Sequence, residues 1–213
     1  MSRLDEYIKR YEGLHTAKDS FRAAQTGKII PHDQKELFTG IQFLRKFPKH
    51  LKRITEEKGR AVTLLDYGCG KGNMPWRPYE SYKNGLWGFL PDKIQSIYLY
   101  DPCFPPFSTK PPEGWQFDVV GCADVMEHIP EEDVDTVLAD IASFCKPDGV
   151  LMFSISGNKA FKSFEDGENL HCTIQSMDWW KQKVESVCKR DYVLIHTEDS
   201  RDPVVDTVIG KRK

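Results

Sequence analysis

Hydrophobic positions in the first quarter of the chain follow a helical rhythm. Leu37, Phe38, Ile41, Leu44, Leu51 and Ile54 recur at spacings of three, four or seven, which predicts helix with one apolar stripe after Asp33. Arg45, Lys46, Lys49, Lys52 and Arg53 fall largely off that stripe. Pro48 interrupts it, because proline has no amide hydrogen to donate and its ring collides with the preceding turn. Residues 1–60 therefore read as a helical amino-terminal extension or lid, and residues 61–213 as the main domain.

Beyond residue 60 the rhythm changes to short continuous apolar runs alternating with amphipathic helices. Strands are predicted at Ala61–Asp66, Ser96–Asp101, Phe117–Ala123 and Val150–Ile155. A helix with Val134, Val137, Leu138, Ile141 and Phe144 on one face precedes the turn Pro147-Asp148-Gly149. Unbroken apolar strands must be covered on both faces, so the pattern predicts an α/β fold, doubly wound about a mostly parallel sheet. After a helix from about Met177 to Cys188, strands near Tyr192–His196 and Val204–Ile209 are joined by the short turn Asp199–Pro203. So short a link predicts an antiparallel pair at the carboxy terminus.

A chain of 213 residues with 39% hydrophobic and 29% charged residues is one domain with trimmings. The net charge of -2 conceals an asymmetry: residues 1–60 hold 14 Lys and Arg against 8 Asp and Glu, the remainder 16 against 24. A basic section of that kind suits an anionic substrate or a solvated helix face, but it is too dispersed to argue for nucleic acid. The six cysteines show neither a CxxC pair nor a Cys/His cluster, so no metal is expected. With a polar amino terminus and no apolar run of about 20 residues, the expectation is a cytoplasmic protein without a membrane span, its oligomeric state open.

The candidate chemistry begins at Asp66-Tyr67-Gly68-Cys69-Gly70-Lys71-Gly72, where a strand ends in an acid and a glycine loop. Glycines there permit positive φ and let a ligand approach the backbone. Asn73 stands where a dinucleotide fingerprint needs its third glycine. An acid before the loop suits a cationic ligand such as a sulfonium and would repel a pyrophosphate. Asp101 ends the next strand, where a carboxylate can accept hydrogen bonds from both hydroxyls of a ribose.

With Leu64-Leu65 before that loop, Tyr98-Leu99-Tyr100-Asp101, Phe117-Asp118-Val119-Val120, Asp124-Val125-Met126-Glu127-His128-Ile129-Pro130 and Lys146-Pro147-Asp148-Gly149, the chain resembles the class I S-adenosylmethionine-dependent methyltransferases. The matching pieces cover roughly residues 60–157 in the family's order. The segment Asp166–His171 with Trp179-Trp180 is similar to small stand-alone methyltransferases of bacteria and their phages. The resemblance implies a Rossmann-like, seven-stranded sheet ending in an antiparallel hairpin, and S-adenosylmethionine as cofactor. It implies cofactor contacts from Asp66, Tyr67, Gly68, Cys69, Gly70, Asp101, Pro102, Asp124 and Val125.

Methyl transfer to oxygen benefits from a base. His171, after the strand Val150–Ile155, and His128, directly after Phe117–Ala123, are the catalytic candidates, while His32, His50 and His196 read as surface or strand residues. Tyr11 and His15 read either as a cover over the cofactor or as packing and solvent residues. No Asn/Asp-Pro-Pro-Tyr follows Phe117–Ala123, and Pro102-Cys103 is misplaced for a cytosine-attacking thiol. The expected acceptor is therefore a small molecule, a sugar or glycan, or a nucleotide-linked metabolite, methylated at oxygen. Trp76, Trp87, Trp115, Trp179 and Trp180 would suit stacking on a flat ring or filling a core. A nicotinamide-dependent oxidoreductase and a non-catalytic cofactor-binding subunit are the competing readings.

Overall fold

The computed structural model describes residues 2–15, 21–23, 29–30, 42–75, 85–197 and 205–211. Leu37, Phe38, Ile41, the side chain of Leu44, His32, Trp76, the turn Asp199–Pro203 and Val204 lie outside the described residues. In chain order the elements are α1 (Arg3–His15), β1 (Phe21–Ala23), β2 (Ile29–Ile30), α2 (Gln42–Lys46), α3 (Pro48–Lys58), β3 (Val62–Tyr67), α4 (Gly85–Phe89) and β4 (Ile94–Tyr100). They continue with β5 (Phe117–Ala123), α5 (Val134–Ser143), β6 (Cys145–Ser156), β7 (Lys162–Ser163), α6 (Met177–Val187), β8 (Asp191–Thr197) and β9 (Val205–Gly210).

The main sheet runs β4-β3-β5-β6-β8-β9. Its first five strands are parallel, and β9 pairs antiparallel to β8, from Tyr192 opposite Gly210 to Thr197 opposite Val205. Alternate residues of each strand feed two separate cores, which is why the runs are continuously apolar. Leu65, Val120, Leu151, Phe153 and Leu194 pack under α5 and α6, with Trp180 fully buried among them. Leu64, Val119, Met152, Val193 and Ile195 pack on the other face with Phe43, Phe47, Leu51, Ile54 and Leu86. Helix α2 can sit close on β5 because Gly121 has no side chain: a Cβ there would stand 2.3 Å from the Phe43 ring.

Pro48 interrupts the amino-terminal helix as expected and then opens α3 as its first residue, where its missing N–H has no partner to lose. The main sheet has six strands among the described residues, one fewer than expected. Between β4 and β5 the chain carries Pro102, Pro105, Pro106, Pro111 and Pro112, and prolines cannot donate to a ladder. That segment makes only a 3-10 turn at Pro105–Phe107. The expected turn Pro147-Asp148-Gly149 is an irregularity inside β6, whose register on β5 jumps from Cys145 opposite Phe117 to Val150 opposite Val119. A small antiparallel sheet, β2-β1-β7, is an addition that no periodicity announces.

At the amino ends of the strands, Asp118 accepts hydrogen bonds from Arg60, Thr63 and Lys146 and ties β3, β5 and β6 together. The carboxyl ends are left for the site. No helix among the described residues is long and apolar enough to cross a membrane.

Candidate functional site

Strand β3 lies between β4 and β5, so the chain turns opposite ways out of neighbouring strands and leaves a crevice at their carboxyl ends. A cavity of about 1040 Å³ occupies that position. Tyr67, Gly68, Gly70, Asp101, Pro102, Asp124, Val125, His128 and His171 all line it, whereas Asp66 and Cys69 are buried behind the glycine loop.

The loop leaves β3 with Gly68, Gly70 and Gly72 at φ of 80°, 55° and 65°. The amides of Gly68 and Cys69 both donate to the Tyr100 carbonyl, at 2.7 and 3.1 Å, which folds the loop onto the end of β4. Asp101 braces it from there, accepting from the Gly70 amide at 2.7 Å and the Cys103 amide at 2.8 Å. Gly68 is doubly required: besides its positive φ, a Cβ would stand 2.4 Å from Val125 Cγ2.

The electrostatics depart from the sequence expectation at one point. Asp66 is 2% exposed, and burial followed by the neighbouring Asp101 raises its carboxyl well above the ordinary range. It lies beneath the loop and does not line the cavity. The carboxylates that reach the cavity are Asp101 and Asp124. Asp124, at the end of β5, holds φ of 54°, an unfavourable value for a residue with a side chain. It is kept there by its amide, which donates to the Ser154 carbonyl at 2.8 Å, and by the Ser154 hydroxyl, which donates to its Oδ1 at 2.6 Å.

Across the cavity the rings of His128 and His171 meet edge to face at 4.7 Å. His171 Nδ1 lies 2.5 Å from the Asn158 carbonyl, and His128 Nδ1 lies 3.0 Å from the Leu170 carbonyl. A carbonyl offers only lone pairs, so each Nδ1 carries the proton and each Nε2 keeps its own lone pair. Both imidazoles stay neutral: burial and then His171 push His128 down to about 3, and burial lowers His171. Glu127 completes the cluster, fully buried, with Oε1 accepting from the Ser156 amide at 3.1 Å and Oε2 without a hydrogen-bond partner.

Helix α1 supplies the outer wall. Leu4, Tyr7, Ile8, Tyr11 and His15 lie along one face of it and line the cavity. Tyr7 donates its hydroxyl to Glu168, Arg10 bonds Glu168 and Asp166, and the Arg10 guanidinium stacks 3.6 Å from the Phe164 ring centre. Tyr11 packs in a small apolar cluster with Tyr7, Leu14, Phe164 and Leu170, as the packing reading expected, and both it and the buried His15 also line the cavity. The lining residues that the sequence reading did not single out are Glu127 and, on α1, Leu4, Tyr7 and Ile8. Glu127 had a signal, an acid three residues after Asp124 in an otherwise apolar stretch. His196, read as a strand residue, is on β8 and buried, and none of Trp87, Trp115, Trp179 and Trp180 lines the cavity.

Residues 32–188 match the family model of a methyltransferase domain. No curated protein matches the chain. Among solved structures, an O-methyltransferase family protein from Burkholderia thailandensis is 14% identical, with a TM-score of 0.46 over 82% of this chain. The chain spans 58% of that protein's length. The 1,6-didemethyltoxoflavin-N1-methyltransferase of the same organism, solved with 1,6-didemethyltoxoflavin and S-adenosylhomocysteine, is 13% identical with a TM-score of 0.52. That match covers 98% of this chain and 89% of the other, and it is a likeness of fold.

Proposed function

This chain belongs to the methyltransferase-domain family, and from that premise we propose that it methylates an oxygen of a small-molecule acceptor with S-adenosylmethionine as donor. The observation that carries the reading is the cavity itself, lined together by the glycine loop, Asp101, Asp124 and the two histidines. The residues fit the donor. Gly68 and Gly70, which line the cavity, would offer it bare backbone, Asp101 would accept from its ribose hydroxyls, and Asp124 and Val125 would lie beneath it. Two carboxylates complement a cation. The donor supplies a methyl group on a positively charged sulfur, so the protein's task is chiefly to align and desolvate.

His171 and His128 form the acceptor end. Each presents an Nε2 lone pair that can take a hydrogen bond or a proton from an acceptor hydroxyl, and neutrality keeps both lone pairs available. Tyr11 fixes the His128 ring from behind, at 2.7 Å. The like-folded Burkholderia enzyme was solved with S-adenosylhomocysteine and a small molecule, which supports the same two classes of ligand for this cavity. All six cysteines are free thiols, in keeping with a cytoplasmic enzyme.

Calorimetric titration tests the reading. S-adenosylhomocysteine is expected to bind with one site per chain and NAD not at all. Binding of NAD without S-adenosylhomocysteine would mean an oxidoreductase. Transfer of labelled methyl from S-adenosylmethionine to hydroxylated small molecules then identifies the acceptor.

A further inference from the structure

We propose that Glu127, His128 and His171 form a binding site for one divalent transition-metal ion, set in the acceptor end of the cavity. The proposal rests on the reading of that end as the acceptor site, and it goes further by naming what recognises the acceptor. One donor atom from each of the three side chains lies within 4.8 Å of the others. Donors about 2.1 Å from a shared ion stand roughly 3 to 4.2 Å apart, so small side-chain rotations close the triad onto an ion.

Two independent observations point to a cation. Both histidines donate Nδ1–H to backbone carbonyls, of Asn158 and Leu170, which is how metal-ligating histidines are commonly oriented, and both Nε2 lone pairs remain. Glu127 is fully buried, yet its Oε2 has no hydrogen-bond partner while the residue lines the cavity. A buried carboxylate oxygen without a donor is costly unless a cation or proton meets it. Asp124, three residues before Glu127, lines the same cavity. Lys46 is the basic side chain that acts on Glu127, and its ammonium bonds Thr197 Oγ1 at 3.3 Å.

Two imidazole nitrogens and one carboxylate oxygen form a mixed set suited to Zn²⁺, Co²⁺, Fe²⁺ or Mn²⁺ rather than Mg²⁺ or Ca²⁺. Three protein donors leave coordination positions open toward the cavity. The class of acceptor such a site selects is one carrying a hydroxyl or adjacent oxygens able to fill them.

The probe is Co²⁺ added to chelator-stripped, full-length protein. One equivalent is expected to bind, with visible d–d absorption that shifts when S-adenosylhomocysteine is already present. His171→Ala and Glu127→Gln are expected to weaken binding on the order of 100-fold, and His50→Ala to leave it unchanged. Should those variants fail to fold, X-ray absorption on the wild-type Co²⁺ protein decides, with two imidazole nitrogens expected. Wild-type protein that binds S-adenosylhomocysteine but takes up no Co²⁺ at equimolar concentration overturns the proposal and returns both histidines to the role of bases. Co²⁺ bound without imidazole ligands overturns it equally. Uptake of Co²⁺ with two imidazoles, but no S-adenosylhomocysteine binding, supports the metal site and refutes the cofactor reading instead.

Discussion

The Tyr11 hydroxyl lies 2.7 Å from His128 Nδ1 and 2.6 Å from the Leu170 carbonyl, which His128 Nδ1 also meets at 3.0 Å. One carbonyl thus anchors both a ring of the cavity and the helix that covers it. Burial keeps Tyr11 a phenol, so its proton is free to go to Leu170 while its oxygen faces the His128 N–H. Tyr11→Phe should lower stability by about 1 to 2 kcal/mol and leave the sheet intact. Chemical unfolding measures the first, and an unchanged far-ultraviolet spectrum with faster amide exchange in residues 3–15 checks the second.

The glycine loop allows a paired test. Gly68→Ala meets both a positive φ and Val125 Cγ2 at 2.4 Å, so it should cost roughly 3 kcal/mol and abolish cofactor binding. Gly59→Ala, at the end of α3, meets the same backbone strain but nothing within 4 Å, and should cost only about 1 kcal/mol. Equal losses in urea melts would show that the contact with Val125 is unimportant.

Asp101 has two duties, since it braces Gly70 and Cys103 as well as facing the cavity. Asp101→Ala should weaken S-adenosylhomocysteine binding by roughly 1 to 3 kcal/mol. It should also lower the melting temperature of the ligand-free protein, because the buried Gly70 amide and the half-buried Cys103 amide lose their acceptor. Calorimetry and thermal melts without ligand separate the two effects. Weakened binding with an unaltered melt would leave the bracing role unsupported.

His128 makes stability fall on the acid side. Its pKa is pushed down to about 3 by burial and then by His171, against about 6.5 in an unfolded chain. Below that unfolded value the unfolded chain takes up a proton that the folded protein refuses, so stability is held above about pH 6.5 and lost progressively as pH falls toward 3. His171 acts in the same direction. Glu127 and Asp66, pulled upward by burial, act oppositely, losing stability as pH rises through their folded values. Melts of wild type and His128→Gln between about pH 7 and pH 5 should show a shallower decline in the variant.

The sheet was legible because β3, β5, β8 and the Val150–Ile155 part of β6 are buried almost throughout and so read as continuous apolar runs. β8 and β9 could be paired from their short connection alone, and the glycine loop from its spacing. The sheet β2-β1-β7 was not legible, since two- and three-residue strands carry no periodicity and Arg22 meets Ser163 only through the tertiary fold. For a related reason the position of Asp66 at a strand end was readable and its full burial was not. Tyr11, His128 and Leu170 come from three separate stretches, and no local spacing joins them.

The cavity's outer wall comes from the first helix, fastened by Arg10 to Asp166 and Glu168 and by Arg3 to Glu132. These ion pairs are partly exposed and therefore screened by salt, unlike the apolar cores beneath the sheet. Raising ionic strength is therefore expected to loosen the hold on α1 while leaving global unfolding little changed, which amide exchange in residues 3–15 against salt would measure. Salt thus reads the attachment of this wall separately from the strength of the cores.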